Sequence, residues 1–155
     1  MSTLLHKAGQ YYISGTNYIT LVSPILDLAL RIWVATIFFQ SGLTKIQSWD
    51  ATLALFEYEY AVPLLPHNVA AWLGTGAELI LPVLLLIGFI SRPTALALFI
   101  FNFVAVISYP DISLAGIKDH MIWGLILAVS FMHGPGKLSL DYWWYSRLQS
   151  KGSTE

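Results

Sequence analysis

The chain has no cysteine among its 155 residues. That excludes disulfides, C-x-x-C redox chemistry, a thiolate nucleophile and cysteine-ligated iron–sulfur clusters. Charge is scarce as well. Lys and Arg number 8, Asp and Glu 9, and together they make up 11% of the residues. A soluble domain carries about twice that share, so this is the sequence of a membrane protein. A formal net charge of −1 offers no basic surface to nucleic acid. No Walker loop, dinucleotide-binding glycine pattern or Gly-x-Ser-x-Gly elbow occurs, and no internal repeat of the transporter kind is visible. Residues 1–23 mix His6, Lys7, Gln10 and Asn17 with tyrosines and have no short apolar core, so they do not read as a signal peptide.

What the chain has in quantity is apolar surface. It is 56% hydrophobic, with a mean hydropathy of +0.64. Four oily runs lie at 24–44, 69–88, 93–109 and 114–131, each close to the length that crosses a bilayer as a helix. The predicted fold is all-α: one integral-membrane domain over 1–155, built as a four-helix bundle. Tyr11, Tyr12, Ile13 and Tyr18 give it an interfacial N-terminal segment. Ser23 is placed to cap the first span, with Pro24 at its first helical position. In the first loop, Asp50 is placed to cap a short amphipathic helix with Leu53, Phe56 and Tyr60 on one side. Tyr142, Trp143, Trp144 and Tyr145 form a C-terminal aromatic anchor.

The few ionisable residues inside the oily runs are the candidate site, because such groups are costly at membrane depth unless paired, protonated or wetted. Glu78 is alone in the second run, with Pro82 four residues on; Pro82 has no N–H, so the carbonyl of Glu78 loses its helical partner. In the first run Asp27, Arg31, Phe38, Gly42 and Lys45 share one stripe at 100° per residue. Asn102 is the strongly polar residue of the third run. His120 lies in the fourth, on a face with Gly116 and Gly124. Centring each run on the bilayer puts Arg31, Glu78 and Asn102 near the midplane, and His120 and Lys45 in one half. The expectation is an Arg31–Glu78 pair across helices, with Asp27 as a second partner and His120 beside the same chamber. Such a chamber suits an oily molecule with carbonyl or hydroxyl ends, a quinone above all, and His120 and Glu78 are candidates to exchange protons there. Haem fits poorly, since His120 and His133 lie near opposite ends of one span and on different faces. No metal-ligand spacing stands out. Lys7, Arg92, Lys137, Arg147 and Lys151 fall on one side and Lys45 and Lys118 on the other, which places both ends of the chain in the cytoplasm.

Arg31, the run Ser41-Gly-Leu-Thr-Lys45, Glu78 before Leu-Ile-Leu-Pro82, Gly88 with Arg92, His120, and Gly134-Pro-Gly-Lys-Leu-Ser-Leu-Asp141 follow in an order that resembles the DoxX family. The resemblance spans about 24–144. It implies a small four-helix protein of the bacterial inner membrane. Relatives include a subunit of a thiosulfate:quinone oxidoreductase, members that work beside redox-defence proteins, and members that accompany gene clusters for metal-responsive modified peptides. Arg31, Lys45, Glu78, His120 and Asp141 match polar positions of the family. The expected function is an inner-membrane component of an electron-transfer or redox-defence system, and the resemblance implies, if an enzyme, a subunit of a quinone-linked oxidoreductase. It would bind a quinone-like lipid, carry no covalent cofactor of its own, and work with a protein partner that holds one. The alternative is a non-enzymatic membrane adaptor for a modified-peptide or metal-homeostasis system.

Overall fold

The computed structural model describes residues 2–152, and among them are six helices and no strand. They are α1 (Ser2–Gln47), α2 (Trp49–Tyr58), α3 (His67–Ile87), α4 (Ser91–Ser108), α5 (Leu114–His133) and α6 (Leu140–Gly152). Helices α1, α3, α4 and α5 are long and apolar enough to cross a membrane. The protein is an all-α membrane bundle of four long helices, with α2 folded over one end and α6 leaving from the other.

Helix α1 differs in one respect from the expectation. It does not start afresh at Ser23 but runs unbroken through Pro24 for 46 residues. At 1.5 Å per residue it is about 69 Å long, more than twice the hydrocarbon thickness of about 30 Å. Pro24 deprives the carbonyl of Thr20 of its helical partner, yet Thr20 is exposed, so solvent can take that carbonyl and the helix need not break. Tyr11, Tyr12, Ile13 and Tyr18 are exposed along this extension.

Helix α2 starts one residue earlier than Asp50. Ser48 stands at the N-cap and Asp50 in the first turn, where its charge complements the helix dipole. The Thr52 hydroxyl donates to the carbonyl of Lys45 at 2.7 Å, pinning α2 to the end of α1. Phe56 packs against Ala70 and Ala71, so α2 covers the first two turns of α3. Helix α3 keeps Pro82 within it and stops at Gly88, which adopts a left-handed conformation (φ 68°, ψ 42°). Phe89 N–H then donates back to Leu84 at 3.0 Å, closing the last turn.

Val34, Phe38, Leu85, Ala95, Leu98, Ile126 and Leu127 form the core between the four long helices. Phe38 meets Phe101 and Trp123 edge to face, at 6.1 and 5.9 Å between centroids. Two close approaches set the register of α1 against α3. A Cβ on Gly42 would lie 3.0 Å from Cβ of Glu78, and one on Gly88 would lie 2.6 Å from Nη1 of Arg31. Residue 42 is therefore level with 78, and 31 with 88. The end of the bundle that carries the α1–α2 and α4–α5 connections is called the far end below; the end with the α3–α4 and α5–α6 connections is the near end.

Candidate functional site

The polar stripe of α1 does face the interior: Arg31, Phe38 and Gly42 are buried, and Gln40 is exposed. The stripe serves two separate levels, however. Arg31 and Lys45 are fourteen residues apart on one helix, about 21 Å along its axis. The expected Arg31–Glu78 pair is therefore not formed. Glu78 instead accepts from Lys45, Nζ to Oε2 2.6 Å, with both side chains about nine-tenths buried. The reason lies in how α3 is used. Its first two turns pack against α2, so Glu78 sits level with the last turns of α1 and out of reach of Arg31.

At the far end the pair is a closed ring of three side chains. Lys45 also donates to Ser41 Oγ at 2.9 Å, and Ser41 donates to Glu78 Oε1 at 3.1 Å. Ser41 and Lys45, four apart, stand one above the other on α1. Across the bundle, Asn102 on α4 and His120 on α5 hold each other. Asn102 Nδ2 donates to the carbonyl of His120 at 2.9 Å, and His120 Nδ1 lies 2.7 Å from Asn102 Oδ1. Ser41, Lys45, Glu78 and His120 all line one cavity of about 540 Å³. Its walls are otherwise apolar and aromatic, with Phe38, Phe101 and Trp123 on the core side and Phe56, Tyr60 and Tyr109 towards the far end. Tyr60 packs edge to face on both Phe56 and Tyr109, at 5.0 and 5.3 Å. Leu65 and Leu73 line the cavity and are also exposed, so it reaches the protein surface beside α3.

The near end is built differently. Arg31, 3% exposed, donates from Nη2 to the carbonyl of Leu138 at 2.6 Å. Asp141 accepts from the backbone N–H groups of Ile90 and Ser91, at 2.8 and 2.7 Å, so its carboxylate caps α4 and meets the positive end of that helix dipole. Its own N–H donates to the carbonyl of Gly88 at 3.0 Å. The segment 134–141 is thus a strap tied to the α3–α4 turn. Asp27 lies against Gly136 and, with Asp141, faces the charge of Arg31. The space lined by Asp27, Arg31 and Gly134 amounts to about 10 Å³.

Of the six candidates, Lys45, Glu78 and His120 therefore line the cavity, Asn102 holds His120, and Arg31 and Asp27 face the strap from α1. Sequence reasoning passed over Ser41, Tyr60, Tyr109 and Trp123. The four-residue spacing of Ser41 and Lys45 was the available signal for the first, and the place of Tyr60 on the apolar side of the expected short helix for the second; Tyr109 and Trp123 have none.

The four long apolar helices make this a small multi-pass membrane protein. The chain matches the family model DoxX over residues 26–110. It is also 35% identical over 126 residues to an uncharacterised protein of Haemophilus influenzae, covering 77% of this chain and 83% of that relative. No solved structure matches it. The chain belongs to the DoxX family.

Proposed function

We propose that this protein is a component of an electron-transfer or redox-defence system of the bacterial inner membrane, and that it binds a quinone-like lipid in the far-end chamber. The observation that carries the reading is the chamber itself: about 540 Å³, walled by aromatic rings, with Lys45–Glu78 on one side and His120 on the other. Small-molecule sites fall in this size range and combine apolar walls with a few polar groups that orient the ligand. Lys45 uses two of its three N–H donors on Ser41 and Glu78, which leaves one for a ligand oxygen. The exposed flank at Leu65 and Leu73 gives an isoprenoid tail a way out to the acyl chains. Electrons would pass between the bound ring and a protein partner carrying a redox cofactor, since a chain without cysteine supplies no thiol couple. The excess of basic residues at the near end supports an orientation with both ends of the chain in the cytoplasm, which a cytoplasm-active reporter fused at the C-terminus checks.

The test is to purify the protein in mild detergent and identify its bound small molecules by extraction and mass spectrometry. The expected result is a prenylated quinone near one per chain, lost in Glu78→Gln and in Ala77→Phe, which fills the chamber from α3. A wild-type protein that carries no quinone, and binds none when offered a short-chain benzoquinone, overturns the reading.

A further inference from the structure

The orientation of one buried amide decides which nitrogen of His120 carries the proton. Asn102 is 5% exposed, and its Nδ2 donates to the carbonyl of His120. A carbonyl oxygen only accepts, so the NH₂ end of the amide must point there. Oδ1 is thereby turned to His120 Nδ1 at 2.7 Å. An amide oxygen also only accepts, so Nδ1 carries the proton. In the neutral ring Nε2 is then unprotonated, with its lone pair on the side away from Asn102. The ring lines the chamber, and Nε2 is the end of it turned away from the amide. Trp123 supports the ring edge to face, at 4.7 Å between centroids. Gly124, one turn on from His120, leaves room for the amide: a Cβ there would lie 3.2 Å from Asn102 Nδ2.

We infer that the chamber takes its ligand in the hydroxyl-bearing form, the quinol rather than the quinone, and that Asn102 is the positioning residue that sets this preference. The inference rests on the quinone reading above and adds the state of the bound ring. A ring hydroxyl donates to His120 Nε2. A carbonyl oxygen at the same place sets one lone pair against another. On the opposite side, the remaining ammonium N–H of Lys45 donates to an oxygen, and a hydroxyl accepts there as well as a carbonyl does. The quinol is therefore complementary at both ends of the chamber and the quinone at one.

Two measurements on the same samples test this. Protein labelled with ¹⁵N-histidine is reconstituted in nanodiscs, and the His120 signals are assigned by their loss in His120→Gln. The wild type is expected to show Nδ1 protonated and Nε2 not. Asn102→Leu is expected to mix the two tautomers, and so is Gly124→Ala, a milder change that pushes the amide aside while keeping it. The samples are then titrated anaerobically with a short-chain benzoquinol, its quinone and its di-O-methyl ether. The wild type should bind the quinol about ten-fold tighter than either of the others, the worth of roughly one hydrogen bond. In Asn102→Leu or Gly124→Ala the ratio should fall to within about three-fold. A protonated Nε2 in the ligand-free wild type overturns the inference, as does equal binding of the three probes. Failure of all three to bind the wild type overturns the quinone reading and the preference with it, and the nitrogen spectra still decide the tautomer by themselves.

Discussion

The two ends of the bundle use the same kinds of residue for opposite purposes. At the near end, Arg31 and Asp141 bond backbone groups of the strap and the α3–α4 turn, and about 10 Å³ of space is left among them. At the far end, Lys45 and Glu78 bond one another and Ser41, at the wall of a cavity of about 540 Å³. Bonds from a charge to the backbone tie main-chain groups of one segment to another, so removing the charge loosens the fold. Bonds between side chains at a cavity wall can be exchanged for bonds to a ligand without disturbing any helix. What a buried charge is bonded to therefore tells more about its role than its burial does.

The largest effect should come from leaving one member of the far-end pair behind. Lys45→Met strands Glu78 in an apolar wall and is expected to cost about 3–5 kcal/mol, read by reversible unfolding in mixed micelles. The double variant Lys45→Met/Glu78→Leu should recover most of that loss, because an ion pair replaced by apolar groups is often neutral, while ligand binding stays abolished. A double variant as unstable as the single one would mean that the far-end pair holds the fold, and the contrast between the ends would vanish. Next in size is Asp141→Ala, which removes two charge-assisted bonds from the start of α4. It should cost about 2–3 kcal/mol and leave ligand affinity per folded molecule unchanged. Loss of affinity in that variant would break the comparison from the other side.

Much of this was legible in the sequence. Four oily runs and scarce charge gave the membrane bundle, and a 100° projection gave the buried stripe of α1. Depth was not legible. Centring each run on the bilayer placed Arg31 beside Glu78, because nothing in the residues reveals that α1 extends unbroken from Ser2 or that α3 gives its first turns to α2. A helical wheel reports angle and is silent on level, so it grouped Arg31 and Lys45 when their levels assign them to different structures. The strap was visible only as the run Gly134-Pro-Gly-Lys-Leu-Ser-Leu-Asp141 of the family resemblance. That its Asp141 caps a helix fifty residues earlier is a long-range contact with no local signature. Asn102 read as a polar residue in need of a partner, but His120 could be matched to it only once α4 and α5 were docked.

The smallest effect concerns Tyr60, in the wall of the chamber towards the far end. Burial first, then the negative charge of Glu78, then Tyr109 and Glu59 raise its pKa above the ordinary phenol value. The folded protein thus holds the phenol proton more tightly than the unfolded chain does. The resulting stabilisation is complete below the unfolded pKa of about 10 and is lost as pH rises through that value and on through the folded pKa. Wild type minus Tyr60→Phe, compared in unfolding midpoint between about pH 8 and 11, should show this as a difference that shrinks with rising pH. The same subtraction made in a Glu78→Gln background should give a smaller pH dependence, because the second contributor has lost its charge. Made in an Asp141→Ala background it should be unchanged, since that carboxylate serves the other end of the bundle. Equal responses in the two backgrounds would show that Tyr60 senses the net charge of the protein, and the separation of the two ends would then rest on geometry without an electrostatic counterpart.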